Sequence, residues 1–267
     1  MIRDITIGQY YTTDSTVHRL DARTKVIFTF FYVVALFVVK DYSGFLPLVS
    51  IFLFSVILSK IPFRYILRGL KPILFIVLLT VLFNFFGSVG GKVIFEWGIL
   101  RMTDEGLRRG TFLALRLILL MLGTSMMTFT TTPTSLTDAL EHIFRPLKVI
   151  KVPVHELAMM MSIALRFIPI LLDETDRIMK AQQARGADFE SGNLFKRAKA
   201  LLPIFIPLLI SAFRRAFDLA QAMEARCYHG GEGRTRFRPM KYKMADYITF
   251  LLAIMLLGVS ITLRVIL

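Results

Sequence analysis

Apolar runs of bilayer length recur along the chain, separated by short polar segments. Val26 to Val39 lies between Lys25 and Lys40. It is short for a span, and the flanking lysines can snorkel outward to lengthen it. Tyr42 to Ser59, Ile73 to Val89, Thr111 to Thr131 and Tyr247 to Leu263 follow. Five such runs predict an all-α, polytopic membrane protein with about five transmembrane helices. Residues 1–25 are mostly polar, so a short lead-in at a membrane surface is expected, with no cleavable signal peptide. Lys60-Ile61-Pro62-Phe63-Arg64-Tyr65-Ile66-Leu67-Arg68-Gly69-Leu70-Lys71-Pro72 interleaves basic and apolar residues, which predicts an interfacial amphipathic turn before the third span. The stretch 90–110, with Gly90-Gly91, Trp97 and Gly98, suits short strands or a loop, with Trp97 at the interface. Besides serines and threonines, the spans contain Asn84 and Arg116. Arg116 is either paired in the membrane or snorkels from it.

Between the fourth and last spans the pattern changes, which divides the chain into 1–132 (membrane), 133–243 and 244–267 (final span). After Thr130-Thr131-Thr132-Pro133-Thr134, Ser135 is expected to cap a short helix through Ile143, broken at Pro146. Two long helices fill Glu156 to Tyr228. Each begins apolar, carries an internal proline expected to kink it (Pro169, Pro207), and ends polar. Their ends share one pattern. Ala181-Gln182-Gln183-Ala184-Arg185-Gly186 closes the first and Ala222-Met223-Glu224-Ala225-Arg226-Cys227 the second. The pattern is Ala-x-x-Ala-Arg and a small residue. The arginines lie 41 positions apart and the prolines 38, so the repeat is approximate. Each arginine sits where helix carbonyls favour a cation. It either caps its own helix or docks a partner across a face thinned by alanines. Gly186 suits a left-handed closure. Cys227 disfavours one, so the second helix is expected to run on toward Gly230-Gly231. Asp173, Glu174 and Asp176, with Arg177 and Lys180 nearby, read as a solvated face.

Composition supports the membrane assignment: 55% of residues are hydrophobic and 24 are Phe. The net charge of +14 fits cytoplasmic loops, anionic lipid and acidic protein partners rather than nucleic acid. Lys60, Arg64, Arg68 and Lys71 on one loop, and the Lys/Arg-rich segment after span four, place the N-terminus and 133–243 in the cytoplasm and the C-terminus outside. The first halves of the long helices are too apolar for water, so they are expected to lie obliquely under the bilayer. In an alternative topology, Leu157–Leu172 and Ala200–Phe213 cross it. One cysteine excludes an internal disulfide and a cysteine-based metal cluster, and the four histidines lack ligand spacing. No metalloprotease, nucleophile-elbow or phosphate-loop motif is present. The chain therefore reads as no enzyme, with no cofactor and no metal site. A self-sufficient channel or secondary transporter is the alternative, with Asn84 and Arg116 as its slender support.

At the paired signatures the chain resembles the transmembrane T component of energy-coupling factor transporters. His18-Arg19-Leu20-Asp21, Pro146-Leu147 and Arg166-Phe167-Ile168-Pro169 support the resemblance, which covers nearly the whole chain. Cys227 departs from the family's usual Gly, and Ala22 from a common Pro. The resemblance implies a non-catalytic scaffold of the cell membrane. It implies two ABC-type ATPase subunits on the ends of two crossed coupling helices, and a membrane S component that captures a vitamin or a metal ion. Arg185 and Arg226 would each enter an acidic groove of one ATPase, with Ala184, Gly186, Ala225 and Cys227 allowing the close fit. The Ala-Met-Glu-Ala-Arg end and the basic glycine-rich loop after it look more like the type that shares several S components than the dedicated type.

Overall fold

The structure, a computed structural model, describes residues 10–87, 93–97, 100–187, 189, 195, 199–231 and 240–266. The Gly90-Gly91 pair, Gly98, Lys196-Arg197-Ala198 and most of the basic glycine-rich loop lie outside the described residues. The chain forms two compact units, one from Gly8–Ala139 with Pro239–Leu267 and one built on Leu140–Arg238.

The first unit holds α1 (Ala22–Val38), a 3-10 turn (Tyr42–Gly44), α2 (Phe45–Ser59) and α3 (Phe63–Gly87). An antiparallel hairpin, β1 (Val93–Trp97) and β2 (Leu100–Thr103), leads into α4 (Asp104–Thr130). α5 (Pro133–Phe144) begins in this unit, its residues from Leu140 on belonging to the other, and α8 (Met244–Ile266) returns at the end of the chain. Local chemistry sets these limits. Asp21 accepts the Arg23 N–H at the start of α1. Thr103 accepts the Gly106 N–H at the start of α4, where Asp104 and Glu105 meet the helix dipole. α4 thus starts ahead of the apolar run at Thr111. The amphipathic turn also differs from expectation: from Phe63 it continues into the third span as one helix. α5 is capped by Thr132, whose Oγ1 accepts the Ser135 N–H at 3.3 Å, with Pro133 as first helical residue. The expected Ser135 cap is therefore replaced, because a proline at the first helical position leaves the residue before it as the cap.

Two clusters form the unit's interior. Tyr32, Leu36 and Val39 of the α1 end meet Phe45, Leu48, Leu119 and Leu256. Phe52, Ile61, Ile66, Leu122, Met126 and Phe129 form the second. Water does not drive helices together inside lipid, so close van der Waals fit must. Gly123 supplies it: a Cβ there would sit 2.2 Å from the Tyr32 ring. Arg116 is paired, its guanidinium donating to the Val39 carbonyl at 2.6 Å and lying 4.8 Å from the Phe112 ring centroid. It satisfies the carbonyl end of α1. One carboxylate ties the starts of α1 and α8 together. Asp246 is 1% exposed and accepts the Asp21 N–H at 2.9 Å and the Lys243 N–H at 2.7 Å. Contacts at both ends show α1 and α8 parallel, with α4 antiparallel to α1.

The second unit holds a 3-10 turn (Arg145–Ile150), α6 (Val154–Ala184) and α7 (Leu202–Ala225). By length and composition, Tyr42–Ser59, Asp104–Thr130, Val154–Ala184 and Met244–Ile266 are each able to cross a bilayer, and Ile73–Phe85 is a shorter apolar stretch within α3.

Candidate functional site

α6 and α7 pack on each other, and both prolines lie inside them. Pro169 and Pro207 cannot donate to the carbonyls of Leu165 and Pro203 one turn earlier, so each helix is weakened on one side there. Only Ala158 and Ile204 are buried in these helices among their described residues. Phe205, Leu209, Phe213 and Phe217 recur every fourth position on α7 and are all exposed.

The two helix ends match residue for residue. In α6, Arg185 is the C-cap, Gly186 takes φ +88°, and the Gly186 and Ala187 N–H groups donate to Gln183 and Gln182 carbonyls at 2.9 and 3.0 Å. In α7, Arg226 is the C-cap and Cys227 takes φ +53°. The Cys227 and Tyr228 N–H groups donate to the Glu224 and Met223 carbonyls at 2.9 and 3.0 Å. Each is a Schellman closure, with a left-handed residue reversing the chain so that two otherwise unmet carbonyls are satisfied. The expected run-on of the second helix is thus corrected: it ends at Ala225. Two hydrogen bonds through Cys227 hold the left-handed turn that its side chain disfavours.

Ala184, Arg185 and Gly186 are exposed, as are Ala225, Arg226 and Cys227. Backbone N–H groups, not the guanidinium groups, close both helices. Among the described residues neither guanidinium has an ion-pair partner. Each presents a planar five-donor fork beside small residues, suited to a carboxylate. Among the described residues no group of His, Cys, Asp and Glu converges as a metal site would.

Sequence reading missed the contact that joins the pair. Arg215 of α7 donates to Glu174 of α6 at 2.7 Å, both partly exposed. Glu174 therefore leaves the solvated face assigned to it. A signal was present in the numbering. Glu174 precedes Arg185 by eleven residues, and Arg215 precedes Arg226 by the same interval. The ion pair thus joins repeat-equivalent positions, as expected where two like helices cross on an approximate twofold. Eleven residues of helix put each arginine about 16 Å from that point.

A family model described as "Cobalt transport protein", CbiQ, matches residues 13–237. The chain is 52% identical over 266 residues to the "Energy-coupling factor transporter transmembrane protein EcfT" of Clostridium kluyveri, covering 99% of this chain and 98% of the relative. It is 54% identical over 248 residues to the protein of that name from Ruminiclostridium cellulolyticum, covering 93% and 92%. With that of Bacillus subtilis it shares 45% over 265 residues, covering 99% and 100%.

Proposed function

This chain belongs to the family of energy-coupling factor transporter transmembrane proteins, and from that premise we propose how it couples ATP to transport. Membership makes it the multi-pass, non-catalytic membrane component of such a transporter. The alternative of a self-sufficient channel or secondary transporter falls with it. Its partners are two cytosolic ABC-type ATPase subunits and one substrate-binding S component for a vitamin or metal ion. It works in the cell membrane, with its N-terminus and residues 133–243 on the cytoplasmic side and its C-terminus outside.

Each ATPase takes one helix end. Arg185 and Arg226 enter acidic grooves, and Ala184, Gly186, Ala225 and Cys227 let the backbone approach. The observation that carries this is the pair of matched closures, each offering an exposed arginine with no ion pair among the described residues. ATP binding draws the ATPases together, and the ends of α6 and α7 move with them. The Glu174–Arg215 crossing acts as the fulcrum, with Pro169 and Pro207 as the kinks where the levers yield. The exposed Phe205, Leu209, Phe213 and Phe217 face carries the motion to the S component.

The test is ATPase recovery with the tagged chain, together with ATP-driven uptake. Truncating a desolvated charge pair costs about 2–5 kcal/mol. Arg185→Glu and Arg226→Glu should therefore each strip one subunit, and the double variant should prevent assembly at normal membrane levels. Full recovery and uptake by the double variant would return both residues to helix capping.

A further inference from the structure

The first unit contains a cavity of about 630 Å³ that the coupling reading does not use. Its walls come from α1, α2, α4, α8 and the lead-in segment. Its volume is that of a small-molecule site. Lys25 lies at one end beside Thr130, and Tyr32 at the other beside Gly123. Seven residues of α1 separate them, roughly 10 Å.

The walls offer a ligand almost no polar donor. Thr29, Ser50, Ser55, Thr130 and Thr249 donate to carbonyls of their own helices at 2.8–2.9 Å. Tyr32 donates to the Leu119 carbonyl at 3.4 Å, and Thr16 to that of Leu58 at 3.5 Å. What faces the cavity is therefore hydrocarbon, and a polar ligand would lose its hydration there without replacement. The exception is Lys25, only 7% exposed. Its Nζ donates to the His18 carbonyl at 3.2 Å and the Thr130 carbonyl at 2.7 Å. An ammonium has three N–H groups. Among the described residues the third has no partner, and no carboxylate lies within ion-pair distance of Nζ. Asp21 and Asp246 act on this ammonium without pairing with it, so an anion hydrogen-bonded to Nζ at this end gains affinity from direct contact.

A hydrocarbon-lined slot with a buried ammonium at one end suits an amphiphile with an anionic head. We propose that this cavity binds an acyl chain of an anionic glycerophospholipid, its phosphate accepting the third N–H of Lys25.

Native mass spectrometry of the full-length chain with mixed phosphatidylglycerol and phosphatidylethanolamine tests this. The wild type should retain one lipid and favour phosphatidylglycerol. One interfacial charge contributes about 1 kcal/mol, so Lys25→Met should cut that preference roughly fivefold and Lys25→Arg should keep it. Ser55→Phe leaves Lys25 in place and fills the slot, so it should release the lipid. Should Lys25→Met fail to fold, Lys25→Arg and Ser55→Phe decide the matter by the same expectations. Equal lipid retention by wild type and Ser55→Phe, or an unchanged preference in a folded Lys25→Met, would overturn the proposal. So would glycerol phosphate alone, or palmitate, displacing the phospholipid at equal concentration, since each would assign the site to a different ligand.

Discussion

The two Schellman closures can be set against each other, because one uses glycine and the other cysteine at the left-handed position. Gly186 has φ +88°, and a Cβ built there meets nothing within 4 Å. Gly186→Ala therefore introduces no clash, and its cost is conformational alone. A non-glycine residue in the left-handed region costs about 1–2 kcal/mol. Glycine's greater freedom when the turn opens offsets about 0.5–1 kcal/mol. The net is about 0.5–1 kcal/mol in favour of glycine, roughly two- to fivefold in the opening equilibrium. Cys227→Gly should gain this amount at the second helix end, and Gly186→Ala should lose it at the first. Amide hydrogen exchange in the purified chain reads it directly. The Ala187 and Tyr228 N–H groups close the two turns, on Gln182 and Met223. Gly186→Ala should speed exchange at Ala187, and Cys227→Gly should slow it at Tyr228, each two- to fivefold after correction for intrinsic rates. Unchanged exchange at both amides would show that the left-handed residue does not limit opening. Cys227→Gly should also keep full ATPase recovery.

The Glu174–Arg215 pair is partly exposed, so a double-mutant cycle with Ala should give a coupling of only about 0.2–1 kcal/mol, read by thermal melting in detergent. Its larger effect should be on uptake, which Glu174→Arg would reduce and Glu174→Arg with Arg215→Glu would restore. Arg116→Leu leaves the Val39 carbonyl without its donor and should cost about 1–3 kcal/mol of melting stability, with Arg116→Lys intermediate. His18 lies against the Tyr11 carbonyl (3.0 Å) and Ser15 Oγ (2.7 Å), and burial holds its imidazole below the ordinary value. With the native value depressed, its stabilisation is whole above about pH 6.5 and declines as pH falls below it, levelling off beneath the native value. His18→Gln should flatten the melting profile between pH 7 and 5, and an unchanged profile would refute this assignment.

Much of this protein is legible in one dimension because lipid imposes a one-dimensional rule: a spanning helix must be long and apolar. α2, α4 and α8 follow from that rule, and the paired Ala-x-x-Ala-Arg ends from direct repetition. Boundaries were less legible where two signals compete. The amphipathic pattern from Lys60 to Pro72 describes a surface, yet backbone hydrogen bonding carries α3 through it as one helix. Cys227 argues against a left-handed turn by its own torsional preference, yet two backbone hydrogen bonds impose one. Only the tertiary structure decided which charges meet. Glu174 looks solvated beside Asp173 and Asp176, and Arg215 on α7 selects it across the crossing. Asp246 and Lys25 look like ordinary flanking charges, and burial turns one into a tie between helix starts and sets the other, bonded to two carbonyls, in the wall of an apolar cavity. Hydropathy sums over a window and reports where a segment sits. The partner of a single charged group is set by packing between segments distant in sequence.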